Sequence, residues 1–249
     1  MFRKELNALS SALRTRMELG WEDEMLPGAC TASAPARFSV PSAPPSAGRG
    51  GKIEGLEAVS AKIRSCRLCP LGASRVKAVP GAGSPEPKVM FVGEGPGYEE
   101  DRRGLPFVGK AGELLDKILA AMGLSRPAVY ITNVVKCHPM KVPSDPELRS
   151  NDRPPSPEEA AACRPYLEEQ ISILSPRAIV ALGAVASREL LKTEEPLSAL
   201  RGRRFDREFA GRSAAVFPTY HPAALLRRPE LKREAWRDYK AVMGFLEGP

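Results

Sequence analysis

Long apolar runs are missing from this 249-residue chain. None approaches the roughly 18–20 residues that a membrane helix needs. The opening Met1-Phe2-Arg3-Lys4-Glu5-Leu6 leads into no signal-peptide apolar core. The reading is a protein of the cytoplasm with no membrane partner. Histidine is scarce, with only His138 and His221, so one at a strand end draws notice. Cysteines number five. An odd count without an export signal argues against a disulfide framework and for metal or cluster ligation by some of them. What is present is a hydrophobic fraction of 43%, which excludes disorder throughout. A net charge of +7 raises nucleic acid as the first candidate partner.

The chain divides into three parts. Residues 1–25 read as a helical extension, with Leu6, Leu9, Leu13 and Met17 on one face. It is a candidate docking element for a repair or replication partner, or a disposable extension. Residues 26–51, rich in Pro, Ala, Ser and Gly, read as a flexible linker containing Cys30. Residues 52–249 carry the folded domain. A helix from Lys52 to about Arg64 comes first. Strands are expected at 88–92, 129–132, 178–182 and 214–217, and helices at 109–122, from Ser156 towards Leu174, at 184–191 and at 230–246. Strands alternating with helices predict an α/β fold, a three-layer α/β/α sandwich around a mainly parallel four-stranded sheet. Ligands of such sheets bind beyond the carboxyl ends of the strands.

Three segments follow expected strands directly: Gly93-Glu94-Gly95-Pro96-Gly97, Asn133, and His221-Pro222. A glycine-rich turn lets backbone amides approach a ligand. An Asn donates and accepts at once, which suits a pyrimidine edge. A His supplies a proton or stabilises a developing anion. Each alone is more often a turn, a cap or an ordinary strand-end residue, and their convergence gives them weight. Cys66-Arg67-Leu68-Cys69, with Cys137 and Cys163 far downstream, offers four thiolates suited to zinc or an iron–sulfur cluster. Spacing alone equally allows Cys137 and Cys163 to be buried hydrophobes.

From about Leu56 to Leu246 the sequence resembles the family 4 uracil-DNA glycosylases, the iron–sulfur members of the uracil glycosylase superfamily. The resemblance runs in order through Cys66-x-x-Cys69, Gly93–Gly97 with Glu100-Asp101, Gly104–Gly109, Thr132–Cys137, Pro157 to Cys163, Leu182-Gly183-Ala184 and His221–Arg227. It implies excision of uracil from single- or double-stranded DNA by a monomer that leaves an abasic site. It further implies that Phe107 stacks on the flipped ring, Asn133 reads the uracil edge, and the backbone of Gly93, Glu94, Gly95 and Gly97 contacts a uracil carbonyl. His221 then stabilises charge on the leaving uracil. Either Glu94 or Glu100 positions the attacking water. The superfamily's water-activating Asp is replaced by Gly95, which shifts weight to a dissociative step.

Leu225 and Leu226 are candidate wedges into the base stack or ordinary core residues, and Arg227 and Arg228 are candidate phosphate contacts. Cys66, Cys69, Cys137 and Cys163 are implied to hold a 4Fe-4S cluster. The sequence departs from the family in the segment 138–155, a proline-rich, charged expansion. A relative with an extended loop here captures uracil-DNA covalently through a loop histidine. That makes a uracil-DNA binding protein without turnover the alternative. His138, the only histidine of this loop, follows Cys137 directly, and the relative's Lys-Arg-Arg-Ile-His string is absent. A third reading, a binding module that has lost activity, is opposed by intact Phe107, Asn133 and His221.

Overall fold

A computed structural model describes residues 48–248. The expected N-terminal helix and nearly all of the linker lie outside them. The last residues assigned to the linker are helical, because α1 spans Arg49–Ser65. Val59 and Ile63 anchor it in the core against a long helix, α5, at Pro157–Leu174. The helix runs back to Gly48, whose carbonyl accepts from the Lys52 amide at 3.2 Å.

The sheet has six strands, not four. They are β1 (Ala82–Gly83), β2 (Val89–Gly93), β3 (Tyr130–Asn133), β4 (Ala178–Leu182), β5 (Phe205–Phe209) and β6 (Arg212–Thr219), in the order β1-β3-β2-β4-β6-β5. The inner four are mutually parallel and correspond to the expected strands. β1 and β5 are antiparallel edges. β1 has only two residues, too few for a periodic signal. β5 reads Phe-Asp-Arg-Glu-Phe, with its three charged residues exposed. Charge on an edge strand prevents pairing with another chain, but it also hides the strand from a hydrophobicity reading. The β5–β6 hairpin turns through Ala210 (φ 48) and Gly211 (φ 79), the left-handed pair that matches strand twist.

β2, β4 and the inner part of β6 are apolar throughout because both faces are covered. Alternate residues divide between two cores. Val89, Phe91, Val180 and Phe217 meet α4 (Lys110–Ala121) and α9 (Lys232–Glu247) through Leu115, Ile118, Trp236 and Tyr239. Met90, Val92, Ile179 and Val216 meet α5 and α6 (Ala184–Leu191) through Leu167, Ile171 and Leu190. This period of two makes the sandwich three layers thick.

Short helices trim the loops: α2 (Leu71–Ser74), α3 (Tyr98–Arg103), α7 (Leu197–Leu200) and α8 (Pro222–Arg227). The expected helix at 230–246 begins as a 3-10 turn at Pro229–Leu231, and α9 starts only at Lys232. Parallel pairing sets Gly93 opposite Asn133. The end of β6 at Thr219 brings His221 to the same edge.

Candidate active site

A cleft of about 650 Å³ opens at the carboxyl ends of β2, β3 and β6. Phe107, Asn133, His221, Glu94 and the Gly95–Gly97 backbone line it. A volume of that size suits a small ring-shaped ligand with its sugar. Gly93 lies directly against Asn133 and Phe107. A Cβ there would strike Asn133 Oδ1 and lie 2.6 Å from Phe107 Cζ. Only a bare backbone lets the amide and the aromatic ring converge over one spot.

Asn133 is buried at 1% exposure, and its Oδ1 has no hydrogen-bond partner. A buried acceptor left unpaired costs about 1–3 kcal/mol, so this oxygen is set for a donor supplied by a ligand. Lys136 secures the residue from behind. Its Nζ donates to the Asn133 carbonyl (2.6 Å), Thr132 Oγ1 (2.7 Å) and Gln170 Oε1 (2.8 Å).

Phe107 is held in a left-handed conformation, φ 53, which costs an L residue roughly 1–2 kcal/mol. Three devices stabilise it. Arg126 donates to the Pro106 carbonyl at 3.0 Å and to the Phe107 carbonyl, while its Nε meets Asp116 at 2.5 Å. Glu100 Oε1 accepts from the amides of Val108 (2.9 Å) and Gly109 (3.1 Å). Gly112 leaves room for the Phe107 carbonyl, which any Cβ would strike.

Glu100 Oε2 also accepts from the Gly97 amide at 3.2 Å, capping α3. Glu100 thus takes three backbone donors on its carboxylate while still lining the cleft, so the geometry gives it a positioning task at Phe107 beside its place as a candidate for the water. Glu94 lines the cleft as well, with no hydrogen bond of this kind to its carboxylate among the described residues. Burial, then the negative charge of Asp152, hold its carboxyl above the ordinary value, and Arg227 opposes them.

His221 caps α8, and its Nδ1 accepts from the Ala223 amide at 3.1 Å. The proton of the neutral ring therefore sits on Nε2. Burial, reinforced by Arg227, pulls the imidazole down to about 4, so it is neutral at pH 7. Its ring lies 5.5 Å from that of Phe107, centroid to centroid.

The structure separates the two leucines. Leu225 is fully buried among the core residues under α8 and is not available to DNA, whereas Leu226 is 45% exposed. Helical geometry turns successive residues about 100° apart, so only one of the pair faces out. Arg227 and Arg228 are exposed, and Arg227 lines the cleft.

Sequence reasoning missed the contribution of the expanded loop. Arg149, Asp152, Arg153 and Pro154 wall the cleft. The loop is closed by a bridge between Met140 and Asp152 and by the buried Asn151, whose amide bonds Val142 and Asp145. His138, by contrast, is fully buried and does not itself line the cleft, its Nε2 2.7 Å from Oδ1 of the lining residue Asp152.

The four described cysteines form no disulfide. Cys66 follows α1, Cys69 precedes α2, Cys137 follows β3 and Cys163 lies on α5. They lie close enough to act on each other electrostatically: Cys163 and Cys69 on Cys137, Cys69 and Cys66 on Cys163. Among the described residues no three His, Cys, Asp or Glu side chains are grouped tightly enough for a single metal ion. No helix among them is long and apolar enough to cross a membrane.

A doubly covered parallel sheet with a cleft at its strand ends, offering an aromatic face, an amide and a neutral imidazole, is the arrangement of a protein suited to hold a planar heterocycle. A family model described as the Uracil DNA glycosylase superfamily matches residues 80–240. The chain belongs to that superfamily. It is 41% identical to the Type-4 uracil-DNA glycosylase of Thermotoga maritima, over 77% of this chain and 95% of the relative. It is 40% identical to the Type-4 uracil-DNA glycosylase of Sulfurisphaera tokodaii, over 76% and 84%. A Type-5 uracil-DNA glycosylase of Thermus thermophilus is 32% identical, over 54% and 71%.

Proposed function

We propose that this protein excises uracil from DNA by hydrolysing the N-glycosidic bond, leaving an abasic site for base excision repair. The observation that carries the reading is the orphaned, buried Oδ1 of Asn133. Uracil presents an N3–H donor beside its O4 acceptor, which an amide meets with one acceptor and one donor. Cytosine presents an unprotonated N3, which would leave Oδ1 unpaired, and such a mismatch discriminates strongly.

Phe107 stacks on the flipped ring. The Nε2–H of neutral His221 donates to uracil O2 as the C1′–N1 bond breaks and its electron pair leaves with the base. A neutral donor suits a developing anion without binding the ground state too tightly. Glu94 holds the attacking water. Leu226 fills the space vacated by the base, and Arg227 and Arg228 meet phosphates.

The four cysteines are the ligands of a 4Fe-4S cluster in this reading. Such a cluster gives each thiolate its own iron and needs no tight single-ion cage. Donors already point at the sulfurs: Arg75 Nη1 at Cys137 (2.9 Å), the Lys136 amide at Cys163 (3.3 Å) and the Leu68 amide at Cys66 (3.5 Å). N–H donors of this kind stabilise cluster sulfur. Held by these four residues, a cluster would tie the end of α1 to the segment after Asn133 and to α5.

Covalent capture through a loop histidine finds no support, because His138 is buried and its Nε2 is engaged by Asp152. Single-turnover cleavage of a uracil-containing oligonucleotide tests the function. Alkali-labile strands without a denaturant-stable adduct are expected. No reaction, or a stable adduct, would refute it.

A further inference from the structure

The cleft holds a carboxylate that the family resemblance did not anticipate. Position 95, in the glycine loop after β2, has no side chain, and a Cβ there would meet Val135 at 2.8 Å. The wall formed by the expanded loop instead carries Asp152 into the same cleft as Glu94. Its carboxylate oxygens lie 3.6 and 3.8 Å from where a Cβ on Gly97 would sit, against the glycine loop that follows β2.

Asp152 is not a loosely tethered surface acid. Its backbone is in the bridge to Met140, and the flanking residues are tied as well: the Lys141 amide to the Asn151 carbonyl at 2.8 Å, and the Arg153 amide to the Pro139 carbonyl at 3.0 Å. Arg153 is fixed in turn by a bidentate pair with Glu159, both contacts 2.7 Å. Behind it, Oδ1 bonds His138 Nε2 at 2.7 Å. Yet 63% of the Asp152 side chain remains accessible. An acid whose backbone is locked and whose carboxylate is oriented by a buried ring, but which still faces the cleft, is built like a functional group.

We propose that Asp152 is a second catalytic carboxylate of this enzyme, acting with Glu94 on the water that attacks C1′. The inference rests on the glycosylase reading above. Water adds to C1′ while the C1′–N1 bond breaks and its electron pair leaves on uracil, held by His221. One proton of the water passes to the carboxylate pair, and the C1′ hydroxyl of the abasic sugar remains. Negative charge on Asp152 also stabilises the cationic character that C1′ acquires before the water bond is complete. The loop histidine thus orients the loop's aspartate and does not itself reach the DNA.

The charged groups sharing the cleft with Glu94 are Asp152, Arg149 and Arg153 from the loop, Glu99 and Glu100 from α3, Lys110 from α4, and His221 and Arg227 at α8. Asp152 and Arg227 are the two charges that act appreciably on Glu94, in opposite directions. Removing the Asp152 charge therefore lets Glu94 ionise at lower pH.

The test is single-turnover cleavage by Asp152→Asn in the cluster-loaded, full-length protein across a pH series, with DNA affinity measured separately on a non-cleavable uracil analogue. Asp145→Asn, in the same loop but outside the cleft, is the charge control. Asp152→Asn is expected to slow cleavage by at least about 10-fold, to leave affinity within about twofold, and to move the acid limb of the rate profile to lower pH. Asp152→Glu is expected to recover part of the rate, which also guards against a folding defect in the Asn variant. The control is expected to match wild type. If Asp152→Asn cleaves as fast as wild type or faster, or if the acid limb stays in place, the assignment is overturned. Wild-type cleavage in the same series keeps that outcome separate from failure of the glycosylase reading.

Discussion

Arg126→Met should disable the pocket without touching the base. The Arg126 guanidinium holds the carbonyls of Pro106 and Phe107 and pairs with Asp116. Hydrogen bonds from a charged donor contribute about 1.5–3 kcal/mol each. Phe107 sits in a left-handed conformation that costs roughly 1–2 kcal/mol. Two such bonds outweigh that strain, and without the guanidinium only the Glu100 bonds to the flanking Val108 and Gly109 amides are left to oppose it. The backbone at Phe107 then relaxes towards negative φ and the ring leaves its place against Gly93. The loss in uracil-DNA affinity should match that of the missing stack, about 1–3 kcal/mol, or roughly 5- to 150-fold.

The assay is a double-mutant cycle with Phe107→Ala on a non-cleavable uracil analogue. If Arg126 acts through the ring, Arg126→Met should cost little in the Phe107→Ala background, giving a coupling close to the single-mutant loss. Strict additivity would refute the reasoning and make Arg126 a DNA contact in its own right.

Asn133→Asp should relax discrimination between uracil and cytosine, since a carboxylate offers no donor to uracil O4 but accepts from the cytosine amino group. Unchanged preference in a competitive cleavage assay would remove Asn133 from the reading of the base edge. His221→Ala should slow cleavage about 10²–10³-fold while changing affinity little, and equal losses in both would make it a binding residue. Because His221 is depressed to about 4 when folded, against 6.5 when unfolded, the unfolded chain binds more protons between those values. Its contribution to stability is present above pH 6.5 and fades as pH falls towards 4. Thermal melts should show that loss in wild type and less of it in His221→Ala. Cys137→Ser should bleach the visible absorbance of the cluster and lower the melting temperature, whereas a colourless wild-type protein carrying zinc would overturn the cluster assignment.

Much of the protein was legible in the sequence because its signals are local. Four apolar runs separated by helix-length amphipathic segments sufficed for the buried parallel strands, since strands covered on both faces are apolar throughout. The positions of Gly93, Asn133 and His221 at the ends of three of those strands located the candidate cleft, because parallel strands deliver their carboxyl ends to one edge.

What the sequence did not decide depends on contacts between distant residues. The edge strands are short or charged, and they exist only because β3 and β6 present free edges. Glu94 and Glu100 are alike as letters. Only the fold turns three backbone amides onto Glu100, although both carboxylates line the cleft. Leu225 and Leu226 differ by one helical step, which puts one in the core and the other at the surface. The loop at 138–155 read as a departure from a pattern, and its histidine drew notice while its aspartate did not. Folding reverses that emphasis: His138 lies buried behind Asp152, because the bridge at Met140 turns the returning strand of the loop, and its carboxylate, into the cleft.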